Sequence, residues 1–232
     1  MQADAGRLLE KASGLDDQAE LHADAGRLEE AVAAAEEAVA VRRELVAVDR
    51  VAHLGELAAS LNNLGALQTR SGRHEASVAA AEESVDLQRQ LAADRPGEHL
   101  RDLALTLTNL GSVRARVGRR REALAAAREA VEIYRGMAEI DPGTYRPGLA
   151  ASLWAYAWVC VTLRANLPGA LQAVNEAIST FTGLAERSPE VFTVPLLRAY
   201  RTLADILDGL GHTEQAAEVR ARLAEGGPVS LP

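Results

Sequence analysis

The chain has 232 residues, 48% of them hydrophobic but only 3% aromatic, and a formal net charge of −8. That apolar content suffices for a core and excludes disorder as the dominant state, the lone Cys160 excludes a disulfide framework, and the acidity argues against general nucleic-acid binding. No stretch approaches the ~18 uninterrupted apolar residues of a membrane span, and residues 1–25 are acidic with no apolar export core, so a cytoplasmic setting is expected.

Alanine dominates, and Lys11 is the only lysine among 25 basic residues. The skew looks like codon pressure in a GC-rich genome, so a single arginine carries less functional weight than usual. Ala, Leu, Glu and Arg together are the composition of helices.

In chain order, residues 3–10 (ADAGRLLE) echo 23–30 (ADAGRLEE), as if the chain began inside a longer ancestral array. The first helix carries Gly14 and Asp16-Asp17 where later helices are apolar or neutral, which predicts a short, broken or frayed element. Next, residues 53–94 fall on 99–140 at a shift of 46, with 18 of 42 positions identical, and residues 26–48 fall on 72–94 with 13 of 23 identical. Such a period implies stacked repeats. Further on, 121–142 matches 168–189 at a shift of 47, the extra residue falling at Asn166-Leu167-Pro168, where a turn can absorb it.

Each unit holds two helices. Leu57, Leu61, Leu64 and Leu67 form an i, i+4, i+7 stripe, repeated by Leu103, Leu107, Leu110 and Val113 and then by Leu149, Leu153, Tyr156 and Val159. Second helices follow Gly72, Gly118 and Gly211, each suited to a helix end that needs positive φ. They stop at Arg95-Pro96-Gly97, Asp141-Pro142-Gly143 and Ser188-Pro189, because proline cannot continue a helix. Helices of about 18–20 residues joined by short turns form antiparallel hairpins that stack.

The wording LNNLG, a glycine seven residues on, and small residues in fixed columns resemble the tetratricopeptide repeat. The small columns are Ala19, Gly65, Gly111, Ala157 and Ala204; Ala31, Ser77, Ala123, Ala170 and Ala216; and Ala38, Ser84, Ala130 and Ala177, where helices can approach closely. The long period is similar to kinesin-light-chain-like repeats of actinobacterial multi-repeat proteins. The resemblance implies an all-α solenoid of stacked antiparallel hairpins wound as a right-handed superhelix, with units near 3–49, 53–94, 99–141, 145–188 and 192–222 and a flexible tail at 223–232. It also implies scaffolding and peptide or protein binding in a concave groove lined by the first helices, and seldom catalysis.

Read in that register, the groove columns hold Asn62, Thr108, Trp154 and Arg201; Asn63 and Asn109; Ser112, Trp158 and Asp205; Arg70 and Arg116; and Arg198. An asparagine offers a donor and an acceptor to a peptide backbone, so Asn63 and Asn109 can form a ladder; the alternative is a bond to the neighbouring helix. Trp154 and Trp158, the only tryptophans, lie at i, i+4 and form either a binding shelf flanked by Arg201 or packing under the next first helix. Arg114, Arg116, Arg119, Arg120 and Arg121 read as a solvated turn paired with Glu122 and Glu129 before they read as an anion site. His53 and His99 share a column with Tyr145 and Phe192, which favours ring packing over metal ligation, and Asp205 with Asp208 reads as surface charge. Cys160 lacks catalytic company, and no zinc-protease, phosphate-loop or nucleophile-elbow motif occurs.

The sequence therefore predicts a non-enzymatic scaffold for a protein or peptide ligand, with no cofactor, no metal, no specific nucleic acid and no membrane. A second reading is a structural or oligomerising segment of a larger signalling protein, its groove occupied by its own tail or by another copy, with homo-oligomers forming through the terminal repeats.

Overall fold

A computed structural model describes residues 2–224. Among them are ten α-helices and no strand: α1 Gln2–Asp24, α2 Leu28–Val48, α3 Arg50–Arg70, α4 His74–Asp94, α5 Pro96–Arg116, α6 Arg120–Ile140, α7 Pro142–Thr162, α8 Leu167–Ala185, α9 Pro189–Gly209 and α10 Thr213–Ala224. The architecture is an all-α solenoid of stacked hairpins. Of the expected tail, Leu223 and Ala224 belong to α10, and residues 225–232 lie outside the described residues.

Two joints alternate and set the period. Inside hairpins the chain turns through a glycine at positive φ, +74° at Gly26, +79° at Gly72, +75° at Gly118 and +86° at Gly211. The residue after Gly72 closes the turn, the Arg73 amide donating to the Gln68 carbonyl at 2.8 Å, as the Schellman geometry requires. Between hairpins a single extended residue suffices at Asp49, Arg95 and Asp141. The Asp49 carboxylate then caps the Ala52 amide at 3.1 Å, and Asp141 caps Thr144 at 3.2 Å, satisfying a donor the helix start leaves open. Hydrogen bonding to Thr144 holds the Asp141 carboxyl below its ordinary range. The helices after Arg95, Asp141 and Ser188 begin on proline, whose missing N–H costs nothing at that position, so they start earlier than the apolar stripes alone suggest.

The chain divides into two compact units, Met1–Val113 and Arg114–Pro232, the boundary falling within α5. In unit 1, α1 to α4 pack in consecutive order; in unit 2, α6 to α10 do so, and the first helices α7 and α9 also touch directly. The small columns sit where helices cross. Ala19, Ala157 and Ala204, then Ala31, Ala123, Ala170 and Ala216, and Ala38, Ala130 and Ala177 are all buried. At Gly65 an added Cβ would come within 3.4 Å of the Ser77 carbonyl oxygen. There the Ser77 hydroxyl donates to the Gly65 carbonyl at 2.7 Å, and Ser84 donates to the Ala58 carbonyl at 2.7 Å. Each such bond contributes about 1 kcal/mol.

The expectation of a broken first helix is corrected. α1 runs unbroken for 23 residues. Its buried stripe of Ala12, Leu15, Ala19 and Ala23 keeps the helical period against α2. Asp16 is not a breaker, because Arg42 of α2 meets it at 2.6 Å. Packing outweighs the ~1 kcal/mol that Gly14 costs relative to alanine.

Candidate functional site

The first helices α1, α3, α5, α7 and α9 carry the columns singled out above, and each unit arranges its share differently. In unit 1, Asn63 and Arg70 are exposed, whereas Asn62, Thr108, Asn109 and Ser112 are half-buried. The Asn109 amide donates to Asn62 Oδ1 at 2.9 Å, tying α5 to α3, so Asn109 spends a donor on a neighbouring helix while Asn63 keeps its amide on the surface. Thr108 and Ser112 turn their hydroxyls back onto the Ala104 and Thr108 carbonyls at 2.8 and 3.0 Å. Arg70 donates to the Ala23 carbonyl at 3.0 Å, sharing at the end of α1 an acceptor that also takes the Gly26 amide at 3.2 Å.

Between α1 and α3 lies a cleft of about 400 Å³. Its α3 wall is Asn63, Ala66, Leu67 and Arg70, its floor includes Ala19, Ala23 and Ala35, and its α1 wall is Asp16, Asp17, Glu20 and Asp24. Sequence reasoning missed those acidic residues, yet the signal is present: one period before Asn63, Ala66 and Arg70 stand Asp17, Glu20 and Asp24. The register was carried into α1 for the small column at Ala19 but not for the groove columns. Leu105 was also missed. It is 47% exposed, one period before a site where Ala151 stands and two before Arg198, in the same outward column.

In unit 2 the tryptophans turn to opposite neighbours. Trp154 is half-buried against the cluster containing Tyr200 and Leu203, and its indole N–H donates to Thr202 Oγ1 of α9 at 3.0 Å. Trp158 packs against the cluster of Ala115, Ala123, Ala127 and Val159, and the Arg116 guanidinium lies 4.9 Å from its ring centroid, a cation–π contact worth about 0.5–1 kcal/mol when exposed. Arg198 and Arg201 are exposed on α9. Asp205 and Asp208 both pair with Arg220 of α10, at 3.0 and 2.6 Å, which holds that guanidinium above its ordinary range.

In the basic turn, Arg120 donates to the Arg164 carbonyl at 3.2 Å and Arg116 is the residue on Trp158. His53 and His99 are half-buried at the first turns of α3 and α5, and the equivalent Phe192 stacks on Phe181 with centroids 6.5 Å apart. Burial pushes the Cys160 thiol up, so it stays protonated near neutral pH, a poor nucleophile. No group of three metal-ligating side chains occurs, and no helix is long and apolar enough to cross a membrane, among the described residues.

Sequence profiles of the tetratricopeptide repeat match residues 12–49 and 56–136, together a little over half of the chain. No curated protein matches it. Among solved structures it is similar to the nearly identical TPR-like repeats named for a kinesin light chain of Podosopora anserina, in a variant form, at TM-score 0.68 and 18% identity over 92% of each chain. It is similar as well to BtubC (BKLC) from P. vanneervenii, at TM-score 0.66 and 18% identity, covering 99% of this chain and 92% of that one. At such identities the likeness speaks for the fold.

Proposed function

This chain belongs to the tetratricopeptide repeat family, and on that premise we propose that it is a non-enzymatic scaffold that holds an extended peptide of a partner protein on the face formed by its first helices. The observation that carries this reading is the cleft between α1 and α3, with Asn63 exposed on its wall over an apolar floor. A few polar groups above an apolar surface are what a peptide site needs: burial supplies affinity, and a side-chain amide supplies a donor and an acceptor to a backbone that always offers both. Exposed Leu105 adds an apolar anchor in unit 1, and Trp154, Trp158, Arg198 and Arg201 give the face of unit 2 aromatic and cationic contacts.

The test is selection from a displayed random-peptide library on the whole chain. Selected peptides are expected to lose about tenfold or more in affinity on N63A combined with L105A, consistent with truncation of two interface anchors, and to be indifferent to D86A, an exposed change on the second helix α4. Peptides that respond to D86A and ignore the first-helix changes would overturn the assignment.

A further inference from the structure

The acidic wall of the α1–α3 cleft goes beyond a generic peptide site. Asp17, Glu20 and Asp24 stand at i, i+3 and i+7 on one face of α1, all exposed and all lining the cleft opposite Asn63. Their neighbour Asp16 has a structural use in its 2.6 Å pair with Arg42. The other three have no ion pair among the described residues.

Packing does not explain them. One period later the same columns hold Asn63, Ala66 and Arg70, on a helix of the same kind in the same unit. Nor does helix stability: like charges at i, i+3 and i, i+4 repel, and Glu20 and Asp24 lie in the last turns of α1, where the helix dipole is already negative. Three carboxylates without an ion pair among the described residues thus stand together along one wall of a cleft of about 400 Å³. A cation seated there removes both penalties.

Resting on the scaffold reading, we infer that this cleft takes a basic segment of a partner protein, an extended peptide whose arginine or lysine side chains meet Asp17, Glu20 and Asp24 while its backbone reaches the Asn63 amide. Arg70, held on the Ala23 carbonyl, closes one end of the cleft with a positive charge, so the basic side chains of the ligand lie toward Asp17 and Glu20 from it.

The test uses the full chain, fluorescence anisotropy and three labelled eight-residue peptides that are identical except at three positions, which carry arginine, the neutral isostere citrulline, or glutamate. The arginine peptide is expected to bind about tenfold more tightly than the citrulline peptide at low salt, the sum of three exposed charge pairs, and the advantage should shrink as salt rises. D17N, E20Q and D24N combined should abolish that advantage. D86N, E139Q and E186Q combined, which change net charge equally at exposed sites elsewhere, should preserve it. Equal affinity for arginine and citrulline peptides, or equal loss in both triple variants, overturns the inference. If all three peptides bind alike and N63A weakens them all, the charge assignment falls and the scaffold reading stands; if none binds, the basic-segment assignment falls and the library selection decides the scaffold reading by itself.

Discussion

The two units use one backbone plan with different interiors. All eight aromatic residues, from Tyr134 to Tyr200, lie in unit 2, and unit 1 contains none. The second-helix column Arg42, Gln88, Tyr134 and Phe181 makes the contrast position by position: polar in unit 1, ring-bearing in unit 2. Gln88 is buried with its Oε1 unpaired, and Arg42 leaves Nε and Nη1 buried without partners, whereas Phe181 is buried against the rings and aliphatics of its cluster. Indeed, the unpaired buried polar side-chain atoms found among the described residues all belong to unit 1. A buried polar atom left without any partner, water included, costs about 1–3 kcal/mol, while a buried ring contributes area and edge contacts. A repeat protein is stabilised by neighbour contacts summed along the stack, so the contrast predicts a weaker first unit and a firmer second one.

Both tryptophans sit in unit 2, so their fluorescence reports that unit, while far-UV circular dichroism reports both. Guanidinium titration followed by the two probes turns the contrast into measurable differences. The largest expected effect is F181A, about 3–4 kcal/mol lost and visible in the tryptophan signal, against about 1 kcal/mol for Q88A in the same column, where little apolar contact is removed. Equal losses would break the contrast. Next is R164G. Arg164 holds φ +48° at the turn where four other repeats use glycine, a conformation that costs a side-chain-bearing residue about 1–2 kcal/mol. Relieving it should raise the midpoint of the tryptophan transition; a lowered midpoint would mean that the Arg164 side chain makes contacts worth more than its strain. Smallest is Q88L, which removes a buried unpaired oxygen at nearly constant volume and should stabilise unit 1 by about 1 kcal/mol, read in circular dichroism. A loss there would show that Gln88 has a partner in solution.

Periodicity made the fold legible, because a repeat of 46 residues repeats its turns and small columns as well as its apolar stripe. The small columns that hold Gly65 and Ser77 and the turns at Gly72, Gly118 and Gly211 could be placed without coordinates. What the columns could not convey is direction. Trp154 and Trp158 share a helix face, yet one reaches Thr202 and the other Arg116, because a large ring chooses between two neighbours by local space. Asn62 and Asn63 differ similarly, since one residue of helix turns a side chain by about 100°, from the Asn109 amide to the open cleft. The reading of α1 fails because it lets local propensity outweigh register, while in the molecule the tertiary contacts of Leu15 and Asp16 prevail.

The joints between hairpins have an evolutionary consequence. At Asp49, Arg95 and Asp141 only one residue separates two helices, so the chain there has no slack: deleting it would turn every downstream side chain about 100° out of phase with its neighbours. The turns inside hairpins are the forgiving places. The one length change in the array, at Leu163–Asn166, occurs at such a turn, where Arg164 and Asn166 both adopt positive φ and the extra residue is looped out before α8 begins. Descendants of this array can thus lengthen a loop at a hairpin tip, but can change the count of helices only by adding or losing a whole period.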